Sequence, residues 1–213
     1  MTFVIITGGI DLSVGSTLAL SSALMAGMIA SGLNPVLAMG VGLLLGAFLG
    51  ACNGVMITKG KMAPFIATLA TMTIYRGLTL VYTDGNPITG IGDSFIFKYM
   101  GRGYLFGIPF PVVVMLLFFG VLYVLLHKMT FGRKTFALGG NEKAAFIAGI
   151  KSDRIKIAIY SISGLMAAVA GIIITSRLNS AQPTAGNAYE MDAIASVVLG
   201  GTSLSEGRGR LVG

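Results

Sequence analysis

Residues 36–57 read VLAMGVGLLLGAFLGACNGVMI, a long apolar run that contains no charged side chain. As an α-helix rising about 1.5 Å per residue, this run is long enough to cross the roughly 30 Å hydrocarbon core of a bilayer. A helix on the surface of a soluble domain would carry a charged face, and this run has none. Residues 36–57 therefore predict a membrane-spanning helix.

The rest of the chain repeats this pattern. Of its 213 residues, 54% are hydrophobic and only 11% are charged, against about 25% charged in soluble domains. The apolar runs long enough to span are 14–30, 36–57, 64–82, 110–126 and 155–175. We expect an all-α, polytopic membrane helix bundle with about five spanning helices in one domain over residues 1–213. Because the chain begins and ends in apolar residues, we expect that domain to be incomplete at both ends.

A sixth apolar run, residues 192–201, is too short to cross a bilayer as a helix. Non-helical or broken backbone at membrane depth is tolerated where it is buried in protein or lines a polar cavity. This run therefore predicts a short re-entrant segment buried in protein.

The positive charge is concentrated in one loop. The net charge is +7, and seven of the fifteen basic residues lie between two apolar runs. These seven are Lys128, Arg133, Lys134, Lys143, Lys151, Arg154 and Lys156. Basic loops stay on the cytoplasmic side during insertion, so the 127–156 and 59–61 loops are predicted inside and the 84–108 loop outside. Charge confined between two apolar runs is typical of a cytoplasmic loop rather than of a nucleic-acid surface, so nucleic acid is not an expected partner.

Small residues recur every fourth position in the 36–57 run. Gly42, Gly46, Gly50 and Gly54 form one stripe along the predicted helix. In lipid, small residues let helix backbones approach closely, so the stripe predicts helix packing.

A few polar side chains fall at membrane depth, where each costs free energy unless paired or solvated. Arg76 lies inside the 64–82 run. It either faces a polar cavity or a buried acidic partner, or it snorkels to an interface. Asp11 and Asp192 precede apolar runs and are predicted helix N-caps. A cap at a broken helix in the bilayer can also be functional. We take Asp11, Ser13, Asn53, Arg76 and Asp192 as candidates for a translocation path.

The sequence carries no pattern for catalysis. No G-x-x-x-x-G-K-[ST] loop for phosphate occurs. One His and one Cys cannot form a metal site of the usual kind. We therefore expect neither an enzyme nor a bound cofactor or metal.

The basic loop contains a predicted short helix. Asn141 is a good N-cap residue, Glu142 suits the positive end of a helix dipole, and Gly149 suits a C-terminal cap. Its apolar side chains are too few to span a membrane, so the helix either docks into a partner's groove or packs against its own chain. The residues predicted to contact a partner are Gly140, Asn141, Glu142, Ala144, Ala145, Phe146, Ile147 and Gly149.

Four separated motifs resemble those of the bacterial monosaccharide ABC permeases. They are TGGIDLSVGS at 7–16, PFIATL at 64–69, GGNEKAA at 139–145 and DAIASVVLGGTSL at 192–204. SAQPTAG at 180–186 is most similar to the ribose-transporting members. The 7–16 and 192–204 segments are polar and glycine-bearing, which makes them candidates for a translocation gate.

The resemblance implies the transmembrane subunit of an importer for a monosaccharide, with ribose expected, in the bacterial inner membrane as a multi-pass protein. It implies a second permease copy, an ATPase that binds the 127–156 loop and an extracytoplasmic sugar-binding protein, besides membrane lipid. Two alternatives stay open on the residues alone. One is an ion-coupled secondary transporter with Asp11, Arg76 and Asp192 as its relay; the other is a structural membrane scaffold.

Overall fold

A computed structural model of the chain describes residues 1–91 and 94–203, together with Gly207, Gly209 and Leu211. Leu204, the last residue of the second candidate gate segment, lies outside the described residues. In chain order the elements are α1 (Thr2–Ile6), α2 (Val14–Ala30), α3 (Pro35–Thr58), α4 (Pro64–Thr83), α5 (Phe95–Arg102), β1 (Tyr104–Leu105), β2 (Ile108–Pro109), α6 (Phe110–His127), α7 (Thr130–Gly140), α8 (Glu142–Ile147), α9 (Ser152–Leu178) and α10 (Tyr189–Leu199).

The expected membrane helix bundle is confirmed. Among the described residues, the four helices α3, α4, α6 and α9 are long and apolar enough to cross a membrane. The fifth predicted span, α2, is a shorter apolar helix of 17 residues, about 25 Å at the usual rise. Asn34 begins α3 by accepting a hydrogen bond from the Val36 amide, and prolines occupy the first turns of α3, α4 and α6.

The bundle is built around the long helix α9. Helix α3 runs along it, and each glycine of the predicted stripe lies against a neighbouring helix. A Cβ atom at Gly50 would overlap the Tyr160 carbonyl oxygen, and one at Gly54 would lie 2.6 Å from the Ile157 Cα atom. Gly42 instead faces Met25 of α2. These backbones therefore pack closely because the side chains between them are absent.

Helix α6 stands at the edge of the bundle. Leu126, near its end, is its one buried residue, and its other apolar side chains point outward or are half-buried. Its surface is therefore suited to lipid or to another helix.

Contacts between loops agree with the predicted orientation. Lys59 Nζ lies 3.1 Å from Asp153 Oδ2, which joins the two basic loops at one end of the bundle. At the other end, Ile88 of the 84–108 loop pairs with Ala181 through two backbone hydrogen bonds. The 59–61 and 127–156 loops, both predicted inside, thus meet at the end of the bundle opposite to the Ile88–Ala181 pairing.

Some elements were not predicted: α5 and the β1–β2 hairpin lie in and beside the 84–108 loop, and α7 lies in the 127–156 loop. Two expectations for the 192–201 run are wrong. Helix α10 begins at Tyr189 with Ala188 as its N-cap, so Asp192 lies inside its first turn and is not the cap. None of the eleven residues of α10 is buried, whereas the sequence predicted a segment buried in protein.

Candidate functional site

A break in the helix between α1 and α2 holds the first group of candidate residues. Residues 7–13 leave the helical path, with Gly8 at φ +73°. The backbone carbonyl of Ile10 accepts a hydrogen bond of 3.1 Å from Thr68 Oγ1 of α4. Unpaired backbone at membrane depth is costly, so this side chain helps to satisfy the break.

Asp11 is the centre of a buried polar network in this break. Asp11 is only 1% exposed to solvent. Oδ1 accepts from the Ser13 amide at 3.1 Å and from Ser13 Oγ at 2.7 Å, and Oδ2 accepts from Ser163 Oγ of α9 at 2.7 Å. Asn53 Nδ2 of α3 donates to Ser13 Oγ at 2.7 Å. This network therefore joins the beginning of α2 to α3 and α9.

The structure corrects the predicted role of Asp11 as an N-cap. The N-cap of α2 is Ser13, whose side chain makes no capping hydrogen bond. Asp11 Oδ1 instead accepts a hydrogen bond from the amide of Ser13, the residue just before α2 begins. Asp11, Ser13 and Asn53 thus form one group, held together by hydrogen bonds rather than by helix capping.

Two further polar atoms in this region lack partners among the described residues. Asn53 Oδ1 and Tyr160 Oη are buried without a hydrogen bond. A Cβ atom at Gly9 would lie 2.5 Å from Tyr160 Oη, which places this hydroxyl against the break. The sequence did not single out Tyr160 or Ser163, because a Tyr or Ser in an apolar helix is common and carries no signal of its own.

A second irregular segment lies between α9 and α10. Asn179 and Ala188 take left-handed conformations at φ +54° and +66°. Between them the chain folds back into the bundle until Gly186 meets Gly15 in the first turn of α2, so closely that a Cβ at either position would clash with the other backbone. The two irregular segments, 7–13 and 179–188, are therefore neighbours.

Arg76 of α4 anchors this second segment. Its Nη1 atom donates hydrogen bonds of 2.6 Å to the Pro183 carbonyl and 2.9 Å to the Ala185 carbonyl. Of the two alternatives for Arg76, the structure has the guanidinium turned inward to polar backbone rather than toward an interface. The Arg76 guanidinium thus supplies hydrogen bonds to two backbone carbonyl oxygens of the irregular segment.

A cleft of about 500 Å³ opens beside Arg76. Polar groups of Thr73, Arg76, Asn187 and Glu190 line it, with Met72 and Leu80 among the apolar walls. Asp192, two residues after Glu190, is exposed and does not line the cleft. The structure therefore separates the candidates into the Asp11 network, the Arg76 cleft and an isolated Asp192.

Helix α8 is capped at both ends and leaves two large apolar side chains exposed. Asn141 Oδ1 accepts from the Ala144 amide at 3.0 Å, and Gly149 at φ +80° ends the helix, its amide donating to the Phe146 carbonyl. Ala145 is buried, whereas Phe146 is 71% and Ile147 86% exposed. In the described part of the chain, nothing covers these two side chains.

An ion pair fixes α8 to the bundle. Glu142 Oε1 lies 2.6 Å from Lys156 Nζ, near the beginning of α9. Since α9 also carries Ser163, a single long helix joins the exposed α8 to the Asp11 network. No cluster of three or more metal-ligating side chains occurs among the described residues.

Comparison with known proteins gives a consistent result. Residues 1–213 match the family described as branched-chain amino acid transport system / permease component. The ribose import permease protein RbsC of Bacillus subtilis is 70% identical over all of this chain and 66% of its own length. The protein of the same name from Escherichia coli is 50% identical over all of the chain and 67% of its own length.

More distant relatives have related names. The D-allose transport system permease protein AlsC of Escherichia coli is 42% identical over 98% of this chain and 64% of its own length. This chain thus spans about two thirds of the length of the curated relatives it matches. No solved structure matches it.

Proposed function

We propose that this chain, which belongs to the branched-chain amino acid transport system / permease component family, is the membrane-spanning part of a ribose importer. The observation that carries the proposal is the 70% identity, over the whole chain, to a ribose import permease. Relatives at 42% to 43% identity are named for allose and arabinose. A monosaccharide is therefore a better expectation than the amino acid in the family description.

Several partners follow from this proposal. A separate ATPase supplies the energy, since the chain carries no phosphate-binding loop. An extracytoplasmic sugar-binding protein delivers the substrate, and a second permease copy completes the path. The protein resides in the bacterial inner membrane as a multi-pass subunit, in keeping with its long apolar helices.

Helix α8 is the proposed contact with the ATPase. Phe146 and Ile147 present two large apolar side chains at the end of the bundle that bears the basic loops. Exposed apolar side chains of this size are typical of protein contacts. The Asn141 cap and the Glu142–Lys156 ion pair hold the helix in place, so a movement of the ATPase is passed to α9 and to the Asp11 network.

Two substitutions test this contact. In the full-length permease, Phe146→Asp combined with Ile147→Asp puts two charges into an apolar contact, so we expect the ATPase to be lost on co-purification. Membrane insertion should be unchanged, because both side chains are exposed. The matched control is Phe106→Asp, which changes an exposed phenylalanine in the β1–β2 hairpin. If the double variant retains the ATPase as well as the control does, α8 is not the contact.

The ion-coupled alternative has a weaker basis. Its relay would need Asp11, Arg76 and Asp192 to exchange protons or ions along one route. Arg76 is held by two backbone carbonyls and Asp192 lies outside the cleft, so the three side chains do not form a line of hydrogen bonds among the described residues.

A further inference from the structure

The cleft beside Arg76 carries two opposite charges that are not paired with each other. Arg76 and Glu190 both line it. Within the part of the chain that the structure describes, no ion pair joins them, and the Glu190 carboxylate accepts no hydrogen bond. Glu190 is half-buried, and a carboxylate that accepts no hydrogen bond from the protein can accept one from a bound molecule. The two groups therefore leave hydrogen-bonding capacity open toward the cleft.

The position of Glu190 is set by the backbone of α2. A Cβ atom at Gly15 would lie 2.9 Å from Glu190 Oε2, so the carboxylate rests against the first turn of that helix. The positive end of a helix dipole stabilises an anion at this place. Glu190 thus stays near the cleft without a side-chain partner from the described residues.

Arg76 is only partly used by the protein. Its Nη1 atom holds the Pro183 and Ala185 carbonyls. Its Nε and Nη2 atoms make no hydrogen bond to described residues. A guanidinium has five N–H donors in a fixed plane, so several remain for a bound molecule.

We propose that this cleft is a binding subsite for a neutral, polyhydroxylated molecule, and that a monosaccharide occupies it during passage. The inference rests on the proposed function and assigns that function to a place. Glu190 accepts hydrogen bonds from sugar hydroxyls, and Arg76 donates to hydroxyl oxygens. Asn187 adds neutral donors and an acceptor, and the Thr73 hydroxyl, which donates to the Ala70 carbonyl, adds an acceptor. Met72 and Leu80 offer apolar contact to the C–H groups of the ring.

Charge and size favour such a ligand. One positive and one negative group balance, so the cleft has no net attraction for a cation or an anion. Its volume of about 500 Å³ lies within the range of roughly 300 to 1,000 Å³ that small-molecule sites occupy. The cleft is open on one side, so a bound sugar can leave it. A transport path needs this release more than it needs tight binding.

Direct binding tests the subsite. We would titrate D-ribose into the full-length permease in nanodiscs, without the sugar-binding protein, and follow saturation-transfer difference NMR of the sugar. Glu190→Ala removes an acceptor that no described residue uses, so we expect the fold to persist and the affinity to fall about tenfold, as for the loss of a charged hydrogen bond. Thr73→Val should weaken binding less, because a neutral hydroxyl is lost.

The matched control is Asp192→Ala, which removes a carboxylate of the same helix outside the cleft. It should bind ribose as the unchanged protein does. Three results would overturn the subsite: no ribose signal in the unchanged permease, equal affinity in Glu190→Ala and Asp192→Ala, or displacement of ribose by an equal concentration of leucine.

Uptake measured in parallel separates the two proposals. Vesicles with the complete transporter report whether ribose is imported at all. If ribose is imported but never binds in the cleft, the subsite is wrong and the proposed function stands. If the complete transporter imports no ribose, the proposed function fails whatever the cleft binds.

Discussion

At the scale of the residue, the most constrained side chain is Asp11. Its carboxyl group accepts three hydrogen bonds, two from Ser13 and one from Ser163, in a site that is almost fully buried. Asn53 then reaches the same group through Ser13. This one residue connects the helix break before α2 to both α3 and α9.

Replacing Asp11 with Asn should therefore destabilise the permease. An amide has one acceptor oxygen, so at least one of the three donors loses its partner, at a cost of about 1 to 3 kcal/mol. We expect a lower midpoint of thermal unfolding in detergent and slower ribose uptake by the full-length protein. Asp84→Asn is the control, since Asp84 is exposed in a loop. Equal midpoints for the two variants would contradict the account of Asp11.

The sequence predicted part of this site. Asp11, Ser13 and Asn53 stood out because polar groups are rare in apolar runs. Their link to Ser163 could not be predicted, since the two residues are 152 positions apart and a serine in an apolar helix is ordinary. Glu190 was missed as a site residue because it precedes the apolar run, and only the return of the 179–188 segment into the bundle places it beside Arg76.

At the scale of the element, the contact between α3 and α9 organises the bundle. Gly46 and Gly164 bring the two backbones together, and Gly50 lies against the Tyr160 carbonyl. The stripe was visible in the sequence because glycine at every fourth position marks one helix face. The partner helix could not be identified from the sequence, because a glycine stripe indicates close packing without showing which helix packs there.

A methyl group at Gly50 should therefore force α3 and α9 apart. For Gly50→Ala we expect a loss of about 1 to 3 kcal/mol in stability, as for other overpacked cores. Gly40→Ala is the control on the same helix, because a Cβ atom at Gly40 meets no atom within 4 Å. Thermal unfolding followed by size-exclusion chromatography measures both variants. A Gly50→Ala protein as stable as Gly40→Ala would show that the helices do not pack closely at this point.

At the scale of the whole molecule, the long apolar runs were the most predictable feature. Each became a helix within a few residues of its expected ends, since length and the absence of charge decide that outcome. The short elements α5 and α7 were not predicted, because their amphipathic residues resemble an ordinary loop. Helix α8 was predicted from its cap residues, and the structure adds that Phe146 and Ile147 point away from the bundle.

These features fit the proposed route from the ATPase to the substrate. The exposed α8 is tied to α9, α9 reaches the Asp11 network, and the neighbouring 179–188 segment forms a wall of the Arg76 cleft. On the proposed function, ATP hydrolysis by a separate subunit drives a sugar through the bundle.

The most direct test is ribose uptake by proteoliposomes that contain the full-length permease, its ATPase and the sugar-binding protein. Internal ATP is supplied or withheld, and a protonophore is added to separate samples. We expect uptake to require ATP and to continue at the same rate when the proton gradient is collapsed. Uptake without ATP that the protonophore abolishes would contradict this expectation and would favour the ion-coupled transporter.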